Sequence, residues 1–160
     1  MLTNKITEKL LREGQKLEQF FSNLHESQLG ISVYLDEQEW LIRDVLAHFI
    51  SAEKSFLLLF ENIRNGGQGV PDDFSVNEFN NSEIKKMKNI DPDDLLVLFC
   101  KTRQDTVKWL EGLSEEEMEK FGRHPAMGET TLGEMIKMIY LHNQIHMRDI
   151  RSAIESHREE

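Results

Sequence analysis

A single cysteine, Cys100, stands in 160 residues. It excludes an internal disulfide, and its apolar setting, "LLVLFCKT", points to a buried, unreactive thiol. Only three prolines interrupt the chain, which leaves room for long helices. No apolar run approaches the roughly 18 residues that a membrane-spanning helix needs. The opening stretch, "MLTNKITEKLLREGQ", turns polar within a few residues and lacks the apolar segment of a secretory leader. The expectation is a cytoplasmic protein with no membrane partner. Basic residues are scarce too: 19 Lys and Arg against 29 Asp and Glu leave a formal net charge of −10. That is the reverse of the basic footprint that phosphate backbones attract, so nucleic acid is not expected as a partner. The acidic residues are spread along the chain as solvated helix faces would be, and no repeat or low-complexity segment is visible.

What is present is apolar patterning at helical spacing, with little of the strict alternation that marks strands. A chain of this length can bury a core without disulfides or a structural metal, and one domain over residues 1–160 is expected. The first helix is predicted from about Thr3 to Leu24, with Ile6, Leu10, Leu17, Phe20, Phe21 and Leu24 on one face. The second begins just after Trp40 and stops at Gly66 and Gly67. The stretch "NGGQGVPDD" is Gly-rich, but no Lys-Ser or Lys-Thr follows, so it reads as a turn and not a phosphate-binding loop.

A short helix is expected near Glu78 to Lys88, and Asp91 as N-cap with Pro92 in the first helical position opens a third long helix ending at Gly112. Ser114 with Glu117 forms a capping box for one or two turns ending at Gly122; Thr131 with Glu134 forms another, opening a last helix from Leu132 to about Glu155. The fold class is all-α: a four-helix bundle with a long connection between the second and third long helices.

His142 and His146 lie one turn apart on the last helix, about 40° apart around its axis, and two imidazoles so placed can converge on one metal. Alone the pair is a weak motif. His48, in "RDVLAHFISAEK", sits among apolar neighbours on the second helix. By itself it fits a hydrogen-bonded core residue, but bundles build metal sites from inward side chains on facing helices. One histidine there and two on the last helix make a three-nitrogen site with open coordination positions, the arrangement of a catalytic zinc.

A tryptophan followed by "RDVLAHF", then "NEFN", "TLGEMI" and "HNQIH" in that order resemble the DinB/YfiT-like superfamily of metal-dependent enzymes, over about Leu10 to Ile154. The resemblance implies a four-helix bundle, a divalent metal on His48, His142 and His146, and often a homodimer. It also implies hydrolysis, transfer of low-molecular-weight thiols or thiol-dependent isomerisation, without choosing among them. The isomerase branch tends to carry Glu-x-x-x-His on the last helix where this chain has His-x-x-x-His, which disfavours it. A second departure is Leu41, where relatives place Ser or Thr as N-cap.

Asp44, one turn before His48, and Asp149, near His146, could each hydrogen-bond the imidazole nitrogen turned away from a metal, or serve as further ligands. The alternatives are stabilisation of a helix N-terminus by Asp44 and an ion pair of Asp149 with Arg148 or Arg151. His124, in "GRHPAMGETT", reads as a solvated loop residue; His25 and His157 read as surface residues at helix ends. No His-Glu-x-x-His pattern supplies a general base, so the catalytic groups beyond the metal are not identified. The sequence reading is a small-molecule enzyme with Zn²⁺, or else Ni²⁺, acting as hydrolase or low-molecular-weight thiol transferase. The alternative is a non-catalytic DinB-like binding or dimerisation module.

Overall fold

The computed structural model describes residues 2–159. Four long helices dominate: α1 (Leu2–Ser22), α3 (Ile42–Arg64), α5 (Pro92–Glu111) and α6 (Leu132–Arg158). Between them lie two short helices, α2 (Glu26–Leu29) and α4 (Val76–Lys86), and a single 3₁₀ turn over Glu117–Glu119. Two small antiparallel hairpins complete the chain: β1 (Ser32–Tyr34) with β2 (Trp40–Leu41), and β3 (Phe121–His124) with β4 (Gly128–Thr131). The four-helix bundle and its long connection, which carries α4, are as the helical periodicity predicts. The hairpins are not: "FGRH" and "GETT" are too short to show alternation, and Gly122 lies inside β3 instead of ending a helix.

Helix α1 packs against α5 and α6, and α3 packs against the same two, so that α1 and α3 face each other across the bundle. Local chemistry sets the ends. Asp91 accepts the Asp93 amide at 2.9 Å ahead of Pro92, and Ser114 and Glu117 exchange both capping bonds. Leu41 cannot cap α3 with its side chain, so Asp44 reaches back and accepts the Leu41 N–H at 2.9 Å.

The apolar core has two sections. One gathers Leu17, Val45, Phe49, Phe99 and Ile150; the other gathers Leu10, Phe60, Leu110, Leu132 and Ile136. Between them runs a polar layer that sequence reading did not anticipate. The Arg103 guanidinium on α5 donates to both Glu53 carboxylate oxygens on α3 at 2.8 to 3.1 Å, to Asn143 Oδ1 on α6 at 2.7 Å and to the Leu10 carbonyl on α1 at 2.8 Å. Thr106 donates a further bond to Glu53 at 2.6 Å. Both charges are nearly sealed, at 3% exposure for Arg103 and 2% for Glu53. Gly14 makes the room: a Cβ there would meet Arg103 Cγ at 3.1 Å, so α1 carries a weak helix former where the arginine passes.

Removing one partner of a sealed ion pair leaves the other charge uncompensated, at a cost of about 3–5 kcal/mol. Glu53→Ala and Arg103→Ala are each expected to lose stability on that scale in urea unfolding. The apolar pair Glu53→Leu with Arg103→Met should recover most of it, and a double variant as unstable as either single one would contradict this account of the layer.

Candidate metal centre

His48 enters the site from the second turn of α3, with Val45, Leu46 and Phe49 holding that stretch in the core. His142 and His146 enter from α6, one turn apart. The three rings converge: His142 Nε2 is 3.0 Å from His48 Nε2 and 3.0 Å from His146 Nε2, and one nitrogen from each ring lies within 4.8 Å of the others. His48 is buried, while the other two are half-buried.

The β1–β2 hairpin supplies the surroundings. Tyr34 donates its hydroxyl to Asp149 Oδ2 at 2.6 Å, which leaves its oxygen to accept from His146 Nδ1–H at 2.7 Å. This commits the His146 proton to Nδ1 and turns the Nε2 lone pair toward the other two rings. Trp40 tilts over His48 at 5.0 Å between ring centres and is itself fixed by its indole N–H to Asn81 Oδ1 at 3.1 Å.

Of the two carboxylates expected near the cluster, Asp149 acts on His146 through Tyr34 and not by direct contact. Asp44 is engaged in capping α3, and His48 Nδ1 has no hydrogen-bond partner among the described residues, so Asp44 does not orient that ring. His124 departs furthest from expectation. It ends β3, is 2% exposed and stacks on Phe56 at 5.2 Å. His25, the N-cap of α2, and His157, in the last turn of α6, are both exposed residues at helix ends. Cys100 is half-buried, and burial pushes its thiol up to about 11, so it is not a thiolate near neutral pH.

Two cavities meet at the cluster. One, of about 360 Å³, runs between α3, α6, the α3–α4 connection and His124; its walls include Phe56, Val70, Phe74 and Met138 alongside His48 and His142. The other, of about 520 Å³, opens past Tyr34, Trp40, His142 and His146 toward Asp36 and Glu37. The connection is pinned in place by its pairing with β3: Arg123 N–H donates to the Gln68 carbonyl at 2.8 Å, Val70 N–H donates to the Arg123 carbonyl at 3.0 Å, and Arg123 also pairs with Asp72. Gly69, at φ +94°, permits the approach, because a Cβ there would lie 2.4 Å from the Arg123 backbone.

Burial keeps the imidazoles neutral, holding His142 down to about 3 and His146 to about 4, with His48 also well below 6.5. Repulsion from neighbouring imidazoles adds to the effect on His48 and His142, and Asp149 partly opposes it at His146. Three neutral imidazoles with nitrogens turned inward are a donor set that could hold a divalent cation.

The chain belongs to the DinB superfamily, whose sequence profile matches residues 9–150. No curated protein matches it significantly. Among solved structures it resembles YfiT from Bacillus subtilis, described as a probable metal-dependent hydrolase with an unusual four-helix bundle topology. That likeness has 20% identity and a TM-score of 0.76, covering 96% of this chain and 86% of that one. A mycothiol-dependent maleylpyruvate isomerase aligns at 20% identity and TM-score 0.72 over 92% of this chain but 60% of its own length. The colibactin self-resistance protein ClbS, in complex with double-stranded DNA, aligns at 15% identity and TM-score 0.69 over 94% of this chain and 95% of its own. At these identities the likeness establishes the fold. Among the described residues no helix is long and apolar enough to cross a membrane.

The depressed histidines predict a pH dependence. An unfolded histidine takes up its proton near 6.5, whereas His142 and His146 resist it down to about 3 and about 4. Their contribution to stability is therefore complete above about 6.5 and is lost as pH falls from there toward the folded values. Urea unfolding in EDTA should show stability declining from pH 7 to pH 5.5, less steeply in His142→Gln. A flat wild-type profile would contradict the assignment.

Proposed function

We propose that this protein is a divalent-metal-dependent enzyme acting on a small molecule, with Nε2 of His48, His142 and His146 as ligands to Zn²⁺, or alternatively Ni²⁺. The observation that carries the reading is the pair of 3.0 Å contacts at His142 Nε2. Tyr34 holds the His146 proton on the far side of that ring. If His142 Nε2 bears a hydrogen, it can point along only one of the two contacts. If it does not, its lone pair faces that of His146. A cation among the three rings would relieve this conflict, and the two 3.0 Å contacts match the roughly 2.9–3.4 Å between ligands about 2.0–2.1 Å from one ion at octahedral or tetrahedral angles.

Such an ion, when bound, supplies Lewis acidity that brings water toward a pKa of about 7 or holds a thiol as thiolate. The chain's own residues supply the rest. Tyr34 and Asp149 fix the His146 ring, and burial keeps the Tyr34 hydroxyl protonated, with Asp149 acting in the same direction. The apolar cavity suits the body of a substrate; the polar one, with Asp36 and Glu37 beside it, suits water or a low-molecular-weight thiol and offers carboxylates for proton transfer. Hydrolysis and thiol transfer both follow from this arrangement. Two cavities meeting at the cluster favour an enzyme over a non-catalytic module. A net charge of −10 weighs against nucleic acid as a partner, although one structural relative is a DNA complex.

Protein purified without a histidine tag is expected to carry one divalent ion per chain by elemental analysis. His142→Ala should lose the ion and keep the fold. Metal at 100 times its dissociation constant stabilises by about 2.7 kcal/mol, so the variant should melt below loaded wild type and close to wild type in EDTA. Stripped wild type that is unfolded at room temperature would make the metal structural and overturn the catalytic reading. Tyr34→Phe, which removes the acceptor for His146 Nδ1–H, should weaken metal binding about 10- to 100-fold with little loss of stability. Unchanged affinity would show that this clamp is idle.

A further inference from the structure

Outside the histidine cluster, the wall of the apolar cavity holds, among the described residues, one buried polar group whose tautomer is set and whose hydrogen bond is unmet. His124 Nδ1 accepts two backbone hydrogen bonds, from Ala126 N–H at 3.0 Å and Met127 N–H at 3.1 Å. An atom that accepts two hydrogen bonds carries no proton, so the neutral ring must bear its hydrogen on Nε2. That nitrogen, on the opposite edge of the ring, is buried and has no partner among the described residues, while the ring lines the cavity. Stacking on Phe56 holds the ring plane. A buried donor left unpaired is costly, and a donor fixed in this way is ready to receive an acceptor.

The rest of the cavity narrows what that acceptor belongs to. Among the described residues no charged side chain lines it. Ser55 donates its hydroxyl to the Ala52 carbonyl, and the Asn62 carbonyl oxygen accepts the Gly69 N–H. Asn80 stands where the apolar and polar cavities adjoin. A volume of about 360 Å³ admits a small molecule with a ring or short alkyl chain.

We propose that His124 is a substrate-binding residue whose Nε2–H donates to the single accepting oxygen, of carbonyl type, on an uncharged and predominantly apolar molecule held in the cavity beside His48 and His142. This deepens the proposed function by naming the substrate class, and it rests on that reading only for the chemistry at the cluster, not for binding in the cavity. An anionic substrate such as a phosphate ester would have to place its charge at the cluster, since among the described residues no charged side chain lines the rest of the cavity.

The test compares two probes of similar shape, acetophenone with a carbonyl oxygen and ethylbenzene without one, titrated by NMR into the full chain in loaded and EDTA-treated form. His124→Asn keeps a side-chain acceptor near the Nδ1 position for the Ala126 and Met127 amides but withdraws the donor. His124→Gln offers an amide N–H near the original Nε2 position. In wild type both probes should shift Phe56, Val70 and Met138, and acetophenone should gain relative to ethylbenzene from the hydrogen bond. In His124→Asn that relative preference should fall by about three- to tenfold, the worth of one net hydrogen bond. His124→Gln should restore part of it.

The proposal is overturned if neither probe binds wild type, if the preference is the same in His124→Asn, or if the preference disappears with the metal, which would place the oxygen on the cluster. Metal content measured on the same samples reports separately on the metal reading. A histidine cluster without metal, together with a His124-dependent preference, would leave the cavity assignment standing and refute only the metal.

Discussion

Arg103 reaches all four long helices from the centre of the bundle, and the geometry of the site depends on it. Its bonds to Glu53 on α3 and Asn143 on α6 fix the height and rotation of those two helices relative to each other. Glu53 lies a little over one turn beyond His48, and Asn143 directly follows His142. A slip of either helix by one residue would rotate its histidines by about 100° and break the polar layer at the same time. The layer divides an otherwise apolar core, which could slide with little penalty, into two sections with a fixed register. Because an apolar replacement of comparable volume should recover most of the stability, the pair matters more for the register of the helices than for stability.

Within that frame the histidine cluster is held from outside the bundle. The β1–β2 hairpin brings Tyr34 and Trp40 over the rings, so that the tautomer of His146 is set by a residue far from it in sequence. Burial does the remaining electrostatic work by keeping the imidazoles neutral, the state in which each has a lone pair to give. The β3–β4 hairpin performs a parallel task on the apolar side, where two backbone amides fix the tautomer of His124. Two short hairpins thus orient imidazoles that the helices alone only bring near one another.

The long helices and the histidine triad were legible from sequence because both rest on periodic or local signals. Apolar stripes recur at helical spacing, Asp91 and Pro92 announce a helix start, and His142 and His146 are one turn apart. Long-range pairing was not legible. Glu53 and Arg103 look like any surface charges until the bundle closes around them. Tyr34 sits in a three-residue strand too short for a pattern, so the sequence suggests a direct Asp149–His146 contact where Asp149 acts through the tyrosine. His124 has the look of a solvated loop residue because "HPAMGE" has turn composition; nothing local shows that the α3–α4 connection pairs with β3 beside it. Asp44 fits a cap or a histidine partner equally in the sequence, and only the folded chain, in which it accepts the Leu41 N–H, decides for the cap.

The central question is whether a divalent metal lies between the three Nε2 atoms. Diffraction from crystals of tag-free protein loaded with Zn²⁺, recorded on both sides of the zinc absorption edge, addresses it directly. The account predicts one anomalous peak per chain, about 2.0 to 2.2 Å from Nε2 of His48, His142 and His146, with at least one coordination position facing the cavities. Loaded crystals with no peak among the three rings, or with zinc ligated elsewhere on the chain, would contradict it.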